Sequence, residues 1–184
     1  MEFTEKFIAF IDVLGFKKLV EAAEAGTGMR LDELRELLKC LGSPEERNRF
    51  AKSGPTACPQ SAYRQRDLDF RTTQISDCVI VSSEVSPAGI INLVSHCWVA
   101  VFKLLERGVM CRGHITRGLI FYTDVEVIGT GYQRAYENEG KVAAFKREAD
   151  ERGTPFVEVD RAVCDYVREC GDSCVKELFS IREG

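Results

Sequence analysis

The stretch that decides the fold runs Phe7-Ile8-Ala9-Phe10-Ile11-Asp12-Val13-Leu14-Gly15-Phe16. Its first five residues are apolar and rich in β-formers, which predicts a buried strand, and Asp12 and Gly15 mark the turn into a helix that begins near Phe16. In open α/β sheets, ligands bind beyond the carboxyl ends of strands. There the outward amides of Leu14, Gly15 and Phe16 suit phosphate. In a second interpretation, Asp12 only caps that helix.

Composition frames the rest of the chain. A length of 184 residues with 45% hydrophobic content predicts one well-cored domain over residues 1–184. The net charge of -4 argues against a nucleic-acid partner, because a phosphate backbone requires a concentrated positive surface. We expect no membrane partner and a cytoplasmic location, since no segment has the continuous apolar length of a membrane helix and residues 1–6 lack a signal-peptide pattern.

The eight cysteines are scattered, mostly within apolar segments, and no two have the close spacing of a zinc or redox motif. With only His96 and His114 beside them, a soft-metal site is not expected. We predict free thiols in a reducing compartment.

The pattern of elements predicts an α+β domain with a ferredoxin-like mixed sheet and helices mainly on one face. The first strand leads into two helices that end at Gly42-Ser43-Pro44, and a polar insertion over residues 43–66 follows. The later elements, in order, are strands at 67–74 and 77–83, a helix from Ser86-Pro87 to Arg107-Gly108, strands at 109–122 and 125–128, a helix opened by Gly129-Thr130-Gly131, a helical stretch reaching about Arg152-Gly153, a strand at 155–159, and a tail that alternates helix and strand to Ile181.

Two acids are predicted to meet at one edge of this sheet. Asp12 closes the first strand, and Asp77 lies at the tight connection between the next two strands, which pair beside the first in a ferredoxin-like sheet. Two carboxylates beside a glycine turn suit one or two magnesium ions that bridge a nucleoside triphosphate. Such ions can lower the pKa of an attacking hydroxyl and offset the charge on a pyrophosphate leaving group.

Four ordered blocks within about residues 7 to 139 carry a resemblance to a known family. Together they resemble the class III nucleotide cyclase domains, and most closely the pyrimidine cyclase branch of the bacterial Pycsar anti-phage systems. The blocks are Phe10-Ile11-Asp12-Val13-Leu14-Gly15-Phe16, Ile75-Ser76-Asp77-Cys78-Val79-Ile80, Arg112-Gly113-His114-Ile115-Thr116-Arg117-Gly118 and Gly129-Thr130-Gly131-Tyr132-Gln133-Arg134-Ala135-Tyr136.

The resemblance implies a site and a reaction. Asp12, Asp77 and the carbonyl of Val13 would bind two Mg²⁺ or Mn²⁺ ions, and residues 14 to 16 would hold the triphosphate. The ribose 3'-hydroxyl would attack the α-phosphate with loss of pyrophosphate. Head-to-tail subunits would share two sites, so we expect a homodimer, and the cyclic nucleotide would activate a separate effector protein in anti-phage defence.

The chain departs from the purine cyclases on the last of these helices. Their conserved Asn and transition-state Arg fall on Gln133 and Glu137 here. By the resemblance, the missing positive charge would come from Arg134 or Arg117, with Arg112 as a third candidate. Arginines on a solvated edge are also ordinary, so each has a purely structural alternative.

The base-reading positions differ as well. The lysine and aspartate with which adenylate cyclases read adenine fall on Thr73 and Glu126. This predicts a pyrimidine substrate, UTP in preference to CTP. Two alternatives stay open beside a uridylate cyclase: a cytidylate cyclase that makes cyclic CMP, and a catalytically inactive cyclase-homology domain that binds only a nucleotide or a partner. A ferredoxin-like interaction domain is a more distant third.

Overall fold

A computed structural model describes residues 1–43, 67–123, 126–143 and 155–171, together with Ser173 and Lys176. Three predictions fall largely or wholly outside the described residues: the 43–66 insertion beyond Ser43, the helical stretch toward Arg152-Gly153, and the tail.

The described elements follow the predicted order. The strands are β1 (Thr4–Val13), β2 (Phe70–Ile75), β3 (Cys78–Glu84), β4 (Cys111–Tyr122), β5 (Val127–Ile128) and β6 (Phe156–Val159). The helices are α1 (Phe16–Glu24), α2 (Leu31–Leu38), α3 (Pro87–Leu105), α4 (Thr130–Glu139) and α5 (Arg161–Cys170), and a 3-10 turn at Lys39–Leu41 follows α2.

The sheet is built around β1. Its order is β2-β3-β1-β4, and each of these neighbours is antiparallel. The free side of β4 pairs with β5 antiparallel near Tyr122 and with β6 in parallel between Arg112 and Ile115. The α+β class is therefore confirmed, and the end of β1 that carries Asp12 lies between β3 and β4.

Side chains alternate between the two faces of β1, as strand geometry requires. One face carries Phe7, Ala9, Ile11 and Val13 into the larger core cluster, which α1, α2, α3 and α5 help to cover. The other, which we call the α4 face, carries Ile8, Phe10 and Asp12. Most of the described helices lie on the first face, as predicted, and α4 is the exception, because Phe10 packs against Tyr132 and Tyr136 with ring centroids 6.3 and 5.2 Å away.

Small residues explain how α4 reaches this face. A Cβ added at Gly118 of β4 would stand 2.8 Å from the Cα of Gly131 in α4, and one added at Gly131 would overlap Ile8. The backbones of strand and helix are thus in direct contact, and Ala135 is fully buried one turn further along the helix. Because the residues at this contact are glycines, no pattern of apolar side chains in the sequence predicts it.

Helix α3 corrects one expectation about membranes. It spans 19 residues and is long and apolar enough to cross a membrane, by length and composition alone, so the statement that no segment approaches this length was wrong. Half of the stretch is buried inside the domain, as in the core helix of a globular protein. Its start matches the predicted cap, since the Ser86 hydroxyl accepts a hydrogen bond from the Gly89 amide at 3.0 Å.

The six cysteines in the described part of the chain are free thiols, as predicted. Cys58 and Cys174 lie outside it. Burial raises the pKa of the Cys111 thiol to about 12, with the nearby Asp12 as a further cause, so that thiol is protonated at neutral pH.

Candidate functional site

The end of β1 and the β2–β3 turn are joined by a backbone hydrogen bond. The amide of Val13 donates to the carbonyl oxygen of Asp77 at 3.1 Å. Cys78, the residue after Asp77, is paired with Asp12 across the two strands. Ser76 makes the turn tight by adopting a positive φ of 54°. The structure therefore brings the two predicted acids to the same edge of the sheet.

The Asp12 carboxyl lies in an environment that disfavours its charge. Burial, followed by repulsion from Asp77 and from Glu139, raises the pKa of Asp12 from 3.8 to about 6, although Arg112 acts in the opposite direction. A carboxylate that is partly removed from water and placed near other carboxylates is one that a cation would stabilise. This surplus of acid is the main electrostatic feature of the site.

Glu139 is a member of this site that sequence reasoning missed. It ends α4, its side chain is 8% exposed, and its carboxylate accepts a hydrogen bond from Nε of Arg112, whose side chain is 24% exposed. Arg112 is in turn paired directly with Asp12 across β1 and β4. The spacing of Gly131, Ala135 and Glu139 at every fourth residue was the available signal, because it puts Glu139 on the buried stripe of α4.

The glycine turn differs in part from its prediction. The Leu14 amide donates to the carbonyl of Met110 at 2.9 Å, so its predicted role as an outward phosphate donor was wrong. Gly15 has a φ of 73° and serves as the N-cap of α1. In the described residues the amides of Gly15 and Phe16 have no hydrogen-bond partner, which leaves two of the three predicted donors for an anion.

Arg117 lies on the opposite face of the sheet from Asp12. Its guanidinium stands 5.6 Å from the ring centroid of Tyr166 in α5, and Nη2 donates to Glu5 at 2.8 Å. Arg117 is paired with Phe7 and Arg112 with Asp12, so Arg117 is also five residues further along the sheet, or about 16 Å at the rise of a strand. It is not brought to the acids.

Arg134 is exposed on α4, and its Nη1 donates to the carbonyl oxygen of Arg117 at 3.3 Å. That contact holds Arg134 at the end of the sheet away from Asp12. Neither of the two favoured arginines meets the acids within one chain, whereas the third candidate, Arg112, does.

The two predicted base-reading residues lie on different parts of the fold: Thr73 is on β2, and Glu126 lies between β4 and β5. Thr73 is half-buried on β2, paired with Ile80, and so lies on the α4 face. Glu126 is exposed after Tyr122 and Thr123, and its amide donates to the Thr123 hydroxyl at 3.0 Å. No hydrogen bond joins Thr73 and Glu126 within the described ranges.

The described residues supply some, but not all, of the oxygen ligands that a divalent cation needs. Asp12 and Asp77 provide two carboxylates at one edge, and the charge on Asp12 is only partly compensated by Arg112. Among the described residues no group of three or more His, Cys, Asp or Glu side chains is arranged to hold a metal. A cation here would therefore complete its oxygen ligands from backbone, water or a bound phosphate.

His114 adds a buried polar group two residues beyond Arg112. The residue is 7% exposed, and neither ring nitrogen has a hydrogen-bond partner in the described part of the chain. Burial lowers the pKa of His114, with Asp160 and Glu158 opposing, so the ring is neutral at pH 7.

No protein-family model matches this chain, and no curated protein matches it. The fold and the site together define the protein as an α+β domain. Its mostly antiparallel sheet carries Asp12 and Asp77 at one end of the central strand.

Proposed function

We propose that this protein is a pyrimidine nucleotide cyclase that converts UTP to 3',5'-cyclic UMP and pyrophosphate. The observation that carries the proposal is the half-buried Asp12 beside Asp77 at the end of the central strand, with the pKa of Asp12 raised to about 6. Perturbed carboxylates of this kind are typical of functional sites. The four sequence blocks of the cyclase resemblance support the same conclusion, since two of them supply these acids.

The connectivity supports a ferredoxin-like, class III cyclase-like fold. β1, the α1–α2 pair, β2, β3, α3 and β4 follow one another in the βαββαβ order of that group. Strand β3 pairs between β1 and β2, so the hairpin that carries Asp77 is delivered beside β1.

In the proposed reaction, the ribose 3'-oxygen forms a bond to the α-phosphorus. The bond from that phosphorus to the β-phosphate oxygen breaks, the hydroxyl proton passes to solvent, and pyrophosphate leaves. Asp12, Asp77 and the Val13 carbonyl would hold two Mg²⁺ or Mn²⁺ ions, which would supply charge stabilisation for the phosphates and a lowered hydroxyl pKa. The amides of Gly15 and Phe16, at the start of α1, would orient the terminal phosphates.

We further propose a homodimer with shared sites. Arg134 is exposed and lies away from the acids of its own chain. A head-to-tail partner would bring it to the other subunit's acids, where its charge would act on the transition state. In the same scheme the domain works in the cytoplasm, and its product activates a separate effector in anti-phage defence.

The most detailed part of the proposal is the preference for UTP over CTP. Thr73 offers a hydroxyl and Glu126 an acceptor, and uracil presents one N–H between two carbonyl acceptors. A buried polar group left unpaired by cytosine costs roughly 1 to 3 kcal/mol, which gives about a tenfold to hundredfold preference for UTP. Competition of equimolar UTP and CTP in one tube measures this preference, and a dominant cyclic CMP product would reverse the choice.

The experiment that tests the activity is incubation of the protein with each of the four ribonucleoside triphosphates and Mg²⁺ or Mn²⁺, followed by mass analysis of products. We expect cyclic UMP, and a loss of at least about 100-fold in Asp12→Asn and Asp77→Asn, because the amides cannot balance the cations. Asp32→Asn is a matched control, since Asp32 is an exposed helix carboxylate paired with Arg30. A cyclic purine product, or normal rates in both site variants, would contradict the proposal.

A catalytically inactive nucleotide-binding domain is the second candidate. It is favoured by the Leu14 amide, which is bonded to Met110 and not turned outward, and by Glu137 where purine cyclases have their arginine. Binding of UTP with a divalent cation but no cyclic product at any protein concentration would decide for this candidate.

A further inference from the structure

We propose that His114 makes the end of α4 sensitive to pH: when its imidazole takes up a proton, the residues that follow α4 separate from β6 and admit water. The proposal goes beyond the proposed function and does not depend on it, because it concerns how two elements of the fold are held together and its test needs no nucleotide.

His114 is enclosed on the α4 face of the sheet. On β4 it is paired with Phe10 of β1 on one side and with Glu158 of β6 on the other. The residue is 7% exposed, and neither ring nitrogen has a hydrogen-bond partner among the described residues. A positive imidazole at this position would therefore be out of water and without an acceptor.

The two acids of the β6 region are already engaged elsewhere. Glu158 accepts a hydrogen bond from the amide of Ala143, four residues after the end of α4, at 2.8 Å. Asp160 accepts from the Thr116 hydroxyl and, at 3.1 Å, from the Val163 amide, and so caps α5. No acceptor is thus ready for a protonated ring.

The weakest side of this enclosure is the one formed by the residues after α4. Strand pairing joins β1, β4 and β6, whereas Ala143 is held to β6 by its hydrogen bond to Glu158. Local opening follows the elements that have the fewest such contacts. Water therefore reaches the imidazole most easily when the chain after α4 moves off β6.

Titratable groups surround His114 from each neighbouring element. They are Arg112 on β4, Asp12 on β1, Tyr132, Tyr136 and Glu139 on α4, Lys141 after α4, and Glu158 and Asp160 on and after β6. Burial is the largest influence and lowers the pKa of His114, Asp160 and Glu158 oppose it, and Lys141 adds to the lowering. An open form with the ordinary pKa of 6.5 binds the proton more tightly, so the closed form loses stability as pH falls below about 6.5.

Opening at this point reaches the candidate site. Glu139 is the last residue of α4, and its carboxylate is bonded to Arg112. The amide of Val142, which is 1% exposed, donates to the Glu139 carbonyl at 3.3 Å. Acid conditions thus loosen residues 139–143, at the end of the sheet that carries the acids.

The test is amide hydrogen exchange of the whole chain followed by NMR, without nucleotide or metal. The exchange rates of the Val142 and Ala143 amides, corrected for the intrinsic effect of pH, report the protection that the closed form gives. In the wild type we expect this protection to fall about 5- to 30-fold between pH 7.5 and pH 5.0, where about 30-fold is the limit for an open-form pKa of 6.5. The Cε1 proton of His114 should titrate below pH 6.5. Unchanged protection, or titration at or above pH 6.5, would overturn the proposal.

Variants of the two histidines identify the group that takes up the proton. His114→Phe keeps a ring that does not titrate, and its protection should change less than about twofold between the two pH values. His114→Gln carries the same expectation if the larger ring disturbs the packing. His96→Gln is the matched control and should respond as the wild type does, because His96 is the second histidine of the chain and its Nε2 lies 2.9 Å from the carbonyl oxygen of Leu41.

Asp12→Asn is the second control, because the pKa of Asp12 is about 6 and this group titrates in the same range. The loss of protection should persist in this variant. A loss of protection that persists in both His114 variants, or that disappears in Asp12→Asn, would assign the proton to another group and overturn the proposal.

Glu158→Gln tests the surroundings of the ring. Glutamine keeps a carbonyl that can accept from the Ala143 amide, but it lacks the negative charge that favours a positive imidazole. Protection at pH 7.5 should stay within about threefold of the wild type, and its fall by pH 5.0 should be larger, close to the limit of about 30-fold. A smaller fall than in the wild type would contradict the proposal.

Discussion

The charged carboxylate of Asp12 lowers the stability of the folded protein. Its charged form is disfavoured by burial and by two neighbouring acids, and Arg112 and a backbone hydrogen bond from Val13 oppose them only in part. If the stability of the folded state were the only requirement, an uncharged residue would be favoured at position 12. This unfavourable placement of a carboxylate is typical of a cation-binding site, and two predictions follow from it.

The first prediction is that Asp12→Asn stabilises the metal-free protein at pH 7.5. Because the folded pKa of about 6 lies above the ordinary 3.8, the folded state binds the proton more tightly, and its stability falls as pH rises from about 4 to about 6 and stays low above that. The variant has no such fall, and we expect a rise of roughly 2 to 4 °C in melting temperature. Thermal unfolding at pH 4.5 and 7.5 measures it, and a lower melting temperature at pH 7.5 would contradict it.

The second prediction concerns competition between protons and metal. Mn²⁺ should raise the melting temperature of the wild type at pH 7.5, and the rise should shrink below about pH 6, where Asp12 takes up a proton. Thermal unfolding with a series of Mn²⁺ concentrations at pH 5 and 7.5 checks this. Asp32→Asn should behave as the wild type, whereas an equal rise at both pH values would mean that Mn²⁺ binds elsewhere.

Among individual residues, those at the ends of strands could be predicted from the sequence. Asp12 and Asp77 are recognisable because each follows or precedes an apolar run. Glu139 was not, because it lies within a polar helix whose buried stripe consists of Gly131 and Ala135. The role of Leu14 was mistaken for a related reason: its partner, the Met110 carbonyl, lies 96 residues away in the chain.

At the scale of elements, the packing of α4 on β4 decides where Glu139 stands. The helix is set against the strand at Gly131 and Gly118, and its far end then delivers Glu139 to Arg112. The order and type of the elements were predictable from periodicity and turn residues. The face that α4 covers was not, since strand pairing and helix approach depend on contacts remote in sequence.

The third prediction follows from that approach. Gly131→Ala should destabilise the fold by about 1 to 3 kcal/mol, because the new methyl group overlaps Ile8 and the β4 backbone. Gly140→Ala is the matched control: it has a helical φ of -66° and open space at its Cβ, so the change is expected to be neutral or stabilising by up to about 1 kcal/mol. Urea unfolding of both variants measures the difference, and equal stabilities would disprove the close contact.

At the scale of the whole molecule, the α4 face beyond the helix stays partly open. Ile75 is 53% exposed and Tyr136 56% exposed there, close to the half-buried Thr73 and Cys78. These side chains lie on the same side of the sheet as the acids. A partner subunit docked on this face would complete the site, as the proposed head-to-tail dimer requires.

The fourth prediction is complementation between inactive chains. If Asp12 and Arg134 serve one site from opposite subunits, mixing Asp12→Asn protein with Arg134→Ala protein should restore activity, because one of the two sites in each mixed dimer keeps both residues. Rates across mixing ratios, with mixed dimers verified by mass, measure the recovery. No recovery in verified mixed dimers would place both residues in one subunit's half of the site or show that the site is not shared.

Helix α3 has a consequence for how the chain is made. The elements that it packs against most extensively, β1, β3 and the 3-10 turn, all precede it in the sequence. When this apolar helix is synthesised, its packing surface has already been made, whereas β4 and α4 have not. The order of synthesis thus makes the packing partners of this helix available before the rest of the domain is complete.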